Sequence, residues 1–442
     1  MSATAIGLAM FGAMLVLMAL RVPIAAAMFV PGALGYMALN GEASLLNLLK
    51  GSAVARLTVY DLSVIPLFLL MGQFATQGGL SRALFRAAMA WVGHVRGGLG
   101  MASVLAAGAF GAVCGSSVAT SATITQVAYP EMRRHGWAGR VSTATLATGG
   151  TLGILIPPSV PLVVYAILTE QNIAKLFAAA MVPGLLAMGG YIGVLALIAR
   201  LNPDRAPAAD ALPWSERWSA LGGVWPIGLV FIVVFGGIYG GIFSPTEGAA
   251  VGAVATGIAA WLRRELGWAA LRDCLAGTAE TSAMVFMIFL GADMMNASLA
   301  LTAMPAALAA WVGGLPVPPL LIVGAVLAMY VVLGCVMDEL SMLLLTIPVV
   351  FPAVMALPIL GLGPEAKALW FGILVLVTVG IGLIAPPVGL NVYVVNNLAR
   401  EVPMAETYKG VFPFLAWDLL RLLLLLAFPV LTLGLVQLLF TR

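Results

Sequence analysis

The stretch Gly149–Tyr165, GGTLGILIPPSVPLVVY, constrains this chain more than any other. Its apolar flanks are long enough for a membrane span, yet Pro157 and Pro158 sit in its middle and Pro161 follows. A proline removes the N–H that would bond the carbonyl four residues back, and its ring pushes that carbonyl aside. If the segment is helical, the carbonyls of Gly153, Ile154 and Pro157 lose their partners. A bare carbonyl in hydrocarbon costs roughly several kcal/mol, so such a break survives only where it is buried in protein or lines a wet cavity. The freed oxygens suit a bound cation. The same break returns in Gly380–Val394, GIGLIAPPVGLNVYV. Two broken spans at corresponding places in two halves point to a transporter binding site.

The rest of the chain fits a membrane setting. Of 442 residues, 62% are hydrophobic, only 9% are charged and 50 are glycine. A soluble core cannot absorb that much apolar surface, so the expected class is an all-α polytopic membrane protein. A net charge of +3 gives no case for nucleic acid. No basic stretch precedes the first apolar segment and no small-residue cleavage pattern follows it, so it reads as a retained helix. Cys114, Cys274 and Cys335 have no metal-like spacing and read as small apolar fillers.

Expected spans run over about 4–20, 22–39, 62–77, 141–169, 176–199, 221–242, 246–262, 279–300, 367–397 and 411–440. The polar connection Asn202–Arg217 reads as a loop between halves. Two apolar regions, Gly97–Pro130 and Pro316–Pro358, are too long for one helix across a core about 30 Å thick. The first breaks at Cys114–Ser117 and the second at Gly334–Ser341. Each is two spans or one re-entrant hairpin; the polar groups and tight turns at both breaks favour re-entry.

Charge orients them. Arg82, Arg86 and Arg96 precede the first region, and Arg133, Arg134 and Arg140 follow it, so both flanks read as cytoplasmic. No Lys or Arg occurs from Asp273 to Glu365, so the second hairpin is expected to enter from outside. Both termini then lie outside, with Lys50 and Arg56 as misfits. The halves repeat internally: Tyr129-Pro130 matches Phe351-Pro352, Gly153 matches Gly382, and Pro157-Pro158 matches Pro386-Pro387. Opposite entry sides make the repeats inverted. The expected divisions are 1–96 for scaffold helices and an interfacial segment, 97–175 for the first transport repeat, and 176–278 for further scaffold. A span at 279–315 leads to the second repeat at 316–398, and 399–442 holds the last helix.

The first tip, Gly115–Thr123, offers Ser and Thr hydroxyls and a glycine that lets the backbone approach closely. Half-helix N-termini suit an anion; freed carbonyls and hydroxyls suit Na⁺. Against this stands simple close packing by small residues. The second tip places Asp338 and Glu339 in an apolar stretch, where ionisable groups are costly. Asp338 is either an N-cap for the helix starting near Leu340, with Glu339 in its first turn, or a group that meets a cation or titrates. Glu280 and Asp293 are expected at the interface, and Ser244 or Thr246 as a helix cap. No Arg or Lys lies between Val141 and Gln171 or in the second hairpin. An organic anion there has helix N-termini, hydroxyls, Asn391 and a bound cation to hold it; the candidate contacts are Ser117, Thr120, Ser159 and Asn391. There is no H-E-x-x-H, no G-x-S-x-G and no phosphate-binding loop.

GSSVATSATI at 115–124, GTLGILIPPS at 150–159, FSPTEGAAVG at 243–252, MDELS at 337–341 and IGLIAPPVGLNVYV at 381–394 together resemble the large membrane subunit of the tripartite ATP-independent periplasmic (TRAP) transporters. The resemblance spans essentially the whole chain. It implies an elevator-type carrier of the bacterial inner membrane, with two hairpins in a moving domain. It also implies a small four-helix membrane subunit, a periplasmic substrate-binding protein, carboxylate cargo and Na⁺ as coupling ion. By position, a first Na⁺ site would use Ser116 or Ser117 with Gly153, Ile156 and Pro157. A second would use the tip from Gly334 to Asp338 with Gly382 and Ala385. The family commonly has Asn where Thr378 stands and Thr where Ala385 stands, which leaves Thr378 or backbone oxygens to complete that site. Two rivals remain: a proton-coupled carrier using Asp338, and an intramembrane enzyme with Ser116 or Ser117 as nucleophile, which lacks a base nearby.

Overall fold

The computed structural model describes residues 3–440, so the first two and last two residues of the terminal segments lie outside the described part. The described residues form helices and turns, without strands. The N-terminal group comprises α1 (Ala3–Ala19), α2 (Ile24–Asn40), α3 (Glu42–Leu57), α4 (Val64–Gln77) and α5 (Leu80–Val92). Next come α6 (Gly98–Cys114) and α7 (Ser117–Arg134), then α8 (Gly139–Gly150), α9 (Leu152–Leu155), α10 (Val160–Leu168) and α11 (Ile173–Leu201). A central group holds α12 (Trp214–Gly222), α13 (Trp225–Tyr239), α14 (Pro245–Leu262), α15 (Trp268–Leu301) and α16 (Met304–Gly313). The last group runs through α17 (Pro319–Gly334), α18 (Glu339–Met355), α19 (Pro364–Gly382), α20 (Leu390–Leu398), α21 (Met404–Ala427) and α22 (Val430–Phe440).

Four helices, α11, α15, α19 and α21, are long and apolar enough to cross a membrane alone, and up to seven spans result if each bent pair counts as one. The span expected over 141–169 is broken: α8–α9 and α10 meet at a bend of 42°. Both long apolar regions are helix–turn–helix hairpins. Their tips are inside the protein: Gly115 and Ser117 are buried at one, Gly334, Met337 and Glu339 at the other. Two separate spans would instead place each turn at an outer surface.

Local chemistry sets the boundaries. Ser244 caps α14 through the Glu247 N–H at 3.2 Å while Glu247 accepts from the Ser244 N–H at 2.7 Å, a reciprocal capping box. Gly97 and Gly115, at φ +78° and +66°, bound α6 in the left-handed region that glycine enters without a Cβ penalty. Lys367, in the first turn of α19, reaches back to the end of α18, its amine donating to the Leu357 and Met355 carbonyls at 2.5 and 3.0 Å.

Several expectations change. Helices α3, α5, α12 and α16 lie outside the expected spans; α5 is amphipathic, so its apolar positions never form an unbroken run. The Asn202–Arg217 connection is partly structured, with a 3₁₀ turn at Pro203–Arg205 and α12 starting at Trp214. The single span expected over 411–440 is two helices, because Pro429 cannot extend α21. Asp293 is not simply exposed at an interface: it is partly buried and forms a two-pronged ion pair with Arg56 of α3.

The order hairpin, broken span, helix occurs twice, and the two copies share contacts. A Cβ on Gly111 of α6 would lie 2.7 Å from the Gly153 Cα, and a Cβ on Gly382 of α19 would lie 2.6 Å from the Gly334 Cα. In each copy, therefore, a hairpin arm and a broken span touch backbone to backbone. The Val160 N–H donates to the Gly115 carbonyl at 3.2 Å, and the Gly389 N–H donates to the Cys335 carbonyl at 3.0 Å. The Pro157–Pro158 and Pro386–Pro387 peptide bonds are both cis. Helix α19 is buried along nearly its whole length and packs against α9, α11, α17 and α21, which makes it the core of this half of the molecule.

Candidate functional site

At the first break, Gly153 faces the hairpin tip. A Cβ here would lie 2.7 Å from both the Ser116 carbonyl oxygen and the Thr120 hydroxyl, so only glycine permits the approach. The Thr120 hydroxyl is buried and has no protein partner. Ile156 and Pro157 are buried just beyond. The Gly153 carbonyl faces a proline four residues on, which has no N–H to give. The Ile154 carbonyl is not left bare, however: the Ser159 hydroxyl donates to it at 2.8 Å. Ser159 also caps α10, accepting from the Leu162 N–H. Its hydroxyl thus supports the break itself.

At the second break the carbonyl of Leu383, equivalent to that of Ile154, accepts from the Asn391 backbone N–H at 3.0 Å. The Thr378 hydroxyl is buried and donates within its own helix to the Leu374 carbonyl at 2.7 Å. The Ala385 N–H turns back to the Ile381 and Gly382 carbonyls at 3.0 and 3.2 Å. Cys335 places its thiol on the Pro386 carbonyl at 3.3 Å. Asp338 is the N-cap of α18: one carboxylate oxygen accepts from the Leu340 and Ser341 N–H groups, each at 3.1 Å. The expected capping role is therefore present, and it engages only one of the two carboxylate oxygens.

The two copies meet at Ser117, the first residue of α7. The Asn391 amide donates to the Ser117 hydroxyl at 2.7 Å and to the Ala147 carbonyl at 3.2 Å. From the other hairpin, Glu339 accepts from the Ser116 hydroxyl at 3.3 Å and from the Ser117 N–H at 3.4 Å. A cavity of about 810 Å³ opens on this junction. Its polar wall includes Ser116, Asp338, Glu339 and Ser341, and Phe29 of α2 and Met287 of α15 stand on its apolar side. Among the described residues, no Lys or Arg lines it. Ser116, Ser117, Thr120, Gly153 and Asn391 are thus brought together. Gly334, Asp338, Thr378, Gly382 and Ala385 gather around the second break.

Sequence reasoning gave Glu339 only a first-turn position; its partners lie more than two hundred residues away, and nothing local marks them. It also missed a buried ion pair. Asp418 and Arg421 of α21 are each 1% exposed and meet at 2.8 Å. The Tyr191 hydroxyl of α11 donates to Asp418 at 2.9 Å and lies 3.0 Å from the Thr151 hydroxyl, two residues before Gly153. A polar chain therefore runs from α21 through α11 to the first break.

A family model described as "Tripartite ATP-independent periplasmic transporter, DctM component" matches residues 11–431. The C4-dicarboxylate TRAP transporter large permease protein DctM of Pseudomonas aeruginosa is 35% identical over 379 residues, covering 85% of this chain and 86% of that protein. The isethionate TRAP transporter permease protein DctMQ of Oleidesulfovibrio alaskensis is 29% identical over 373 residues, covering 83% of this chain but 56% of that protein. Among solved structures, the YdaH transporter of Alcanivorax borkumensis superposes with a TM-score of 0.62, covering 87% of this chain and 89% of the other. At 17% identity that likeness concerns the fold alone.

Proposed function

This chain belongs to the tripartite ATP-independent periplasmic transporter family as its DctM component, and from that membership we propose that it is the translocating subunit of a Na⁺-coupled importer of small carboxylates. It is a multi-pass membrane transporter subunit and not an enzyme. The observation that carries the Na⁺ reading is the cluster at Gly153. There the Ser116 carbonyl and the unpartnered Thr120 hydroxyl lie together against Gly153, whose own carbonyl has no N–H to meet at Pro157. Na⁺ takes several hard oxygens and needs no titratable group, which fits this set. Ser117, Ile156 and Pro157 complete the first proposed ion site; the Gly334–Asp338 tip with Thr378, Gly382 and Ala385 forms the second.

Carboxylate cargo is supported by the name of the Pseudomonas aeruginosa relative and by the Ser116, Thr281 and Ser341 hydroxyls that line the cavity. Cargo contacts are assigned to Ser117, Thr120, Ser159 and Asn391. Movement is of the elevator kind: the two hairpins and broken spans shift as a block against α2 and α15, the repeats entering from opposite faces. The chain works in the bacterial inner membrane, with both termini periplasmic. A small four-helix membrane subunit and a periplasmic binding protein act with it, and membrane lipid surrounds its outer helices. The extra length of the isethionate relative, unmatched here, accords with a further membrane component.

The test is initial uptake of radiolabelled carboxylates into vesicles holding this chain and both partners, measured against Na⁺ at fixed pH and then across pH at fixed Na⁺. Saturable Na⁺ dependence is expected. Uptake indifferent to Na⁺ and driven by an imposed pH gradient would overturn the ion assignment.

A further inference from the structure

The N-terminus of α7 is filled by a carboxyl group from elsewhere in the molecule. Ser116, its N-cap residue, makes no side-chain bond to the first turn of its own helix. Instead, the Ser116 hydroxyl and the Ser117 N–H both donate to one carboxylate oxygen of Glu339, in the opposite hairpin. A helix N-terminus with free N–H groups is a natural seat for a carboxylate.

The seat is held loosely. At 3.3 and 3.4 Å both bonds are longer than well-formed ones, and longer still than the 2.7–2.9 Å usual where the acceptor is charged. The second oxygen of Glu339 has no partner, although the residue is only 5% exposed. Among the described residues, no Lys or Arg lines the adjoining cavity. The side-chain carbonyl oxygen of Asn391, whose amide meets the Ser117 hydroxyl, is also buried and unpartnered. A buried carboxylate with two stretched bonds and one idle oxygen is poorly satisfied where it stands.

We propose that Glu339 is a stand-in for cargo: in the empty carrier its carboxylate occupies the place that a cargo carboxylate takes, and arriving cargo displaces it from the Ser116 hydroxyl and the Ser117 N–H. This rests on the carboxylate-importer reading above. The two anions share one chemistry, and like charges do not share one set of donors. Displacement frees the tip of α18 from the tip of α7, so the second hairpin changes its contacts only when cargo has arrived. The assignment differs from an ion-ligand role for Glu339, since it predicts an effect on cargo affinity and none on Na⁺.

The experiment uses vesicles containing this chain with both partners, and as probe a carboxylate of two to six carbons, succinate first, that the wild-type vesicles accumulate. Glu339→Gln removes the competing charge. Glu339→Asp keeps the charge but draws it back by one methylene from the seat. Both are expected to lower the half-saturating probe concentration three- to tenfold, with half-saturating Na⁺ within twofold of wild type. A Na⁺-dependent rise in Tm of each purified variant checks that it is folded. Unchanged or raised half-saturation for the probe overturns the proposal. So does tightening in Glu339→Gln alone, which would reflect charge repulsion without occupancy of the seat. A raised Na⁺ requirement in both variants overturns it in favour of a cation ligand. If wild-type vesicles accumulate none of these carboxylates, the transport reading itself falls and takes this inference with it.

Discussion

The side-chain amide of Asn391 donates to the hydroxyl of Ser117 across 2.7 Å, joining residues 274 apart in the chain. Ser117 opens the second arm of the first hairpin, and Asn391 stands near the start of the last half of the second broken span. The bond ties the two copies of the repeat together in the buried interior next to Ser116, which lines the cavity. Removing the amide leaves the Ser117 hydroxyl and the Ala147 carbonyl without this donor in a buried place, which costs about 1–3 kcal/mol. Asn391→Ala is therefore expected to lower stability by about 2 kcal/mol and to slow uptake at saturating Na⁺. Thermal unfolding in detergent and initial uptake rates check the two parts separately.

Replacing Ser116 and Ser117 together with alanine tests the first ion site. Each hydroxyl contributes about 1 kcal/mol net through ion contact or tip hydrogen bonds. The double variant is expected to need roughly tenfold more Na⁺ for half-maximal uptake while remaining folded, since backbone oxygens around Gly153 persist. Uptake against Na⁺ concentration in vesicles measures it; an unchanged curve would move the ion away from this tip.

Gly153→Ala is expected to abolish Na⁺-dependent uptake. The new Cβ would stand 2.7 Å from the Ser116 carbonyl oxygen and the Thr120 hydroxyl, so the tip and the break must separate. Overpacking of this kind costs about 1–3 kcal/mol. Gly189→Ala is the control, because nothing lies within 4 Å of its added Cβ. Equal uptake by both variants would show that the close approach at Gly153 is dispensable.

The buried Asp418–Arg421 pair gives an asymmetric prediction. Arg421→Met alone leaves Asp418 as an uncompensated charge with only the Tyr191 hydroxyl for company, a loss of about 3–5 kcal/mol. Asp418→Leu combined with Arg421→Met removes both charges and is expected to recover most of that loss. Tm and expression level of the single and double variants decide it. A double variant as poor as the single one would mean that the pair contributes through its link to Tyr191 and Thr151.

The breaks were legible because proline chemistry is local: Pro157 and Pro386 show which carbonyls lose donors without knowledge of any neighbour. The repeated Gly153 and Gly382 were legible for the same reason, although their partners Gly111 and Gly334 were not. The role of Asp338 stayed open because a cap and an ion ligand want the same residue in the same place, and the two N–H bonds that establish the cap occupy only one carboxylate oxygen. Glu339 and Asn391 take their meaning from Ser117, and no local pattern joins residues so far apart. Asp418 and Arg421 hide in a leucine-rich stretch where either alone would read as an interfacial charge. Helix α5 escaped because its apolar positions are spread around a helix instead of following one another.

The distance between Ser117 and its partners has a consequence for how the protein is made. Ribosomes add about 5–20 residues per second, so the 274 residues between Ser117 and Asn391 separate their emergence by roughly 15–55 s. Through that interval the nascent first repeat carries a hairpin whose tip hydroxyls lack the amide and carboxylate that later meet them. Hydrocarbon would penalise those groups, so the tip must wait in water or against the insertion machinery until the second repeat is threaded. The tip of the first hairpin therefore completes its contacts only once the second repeat has been threaded.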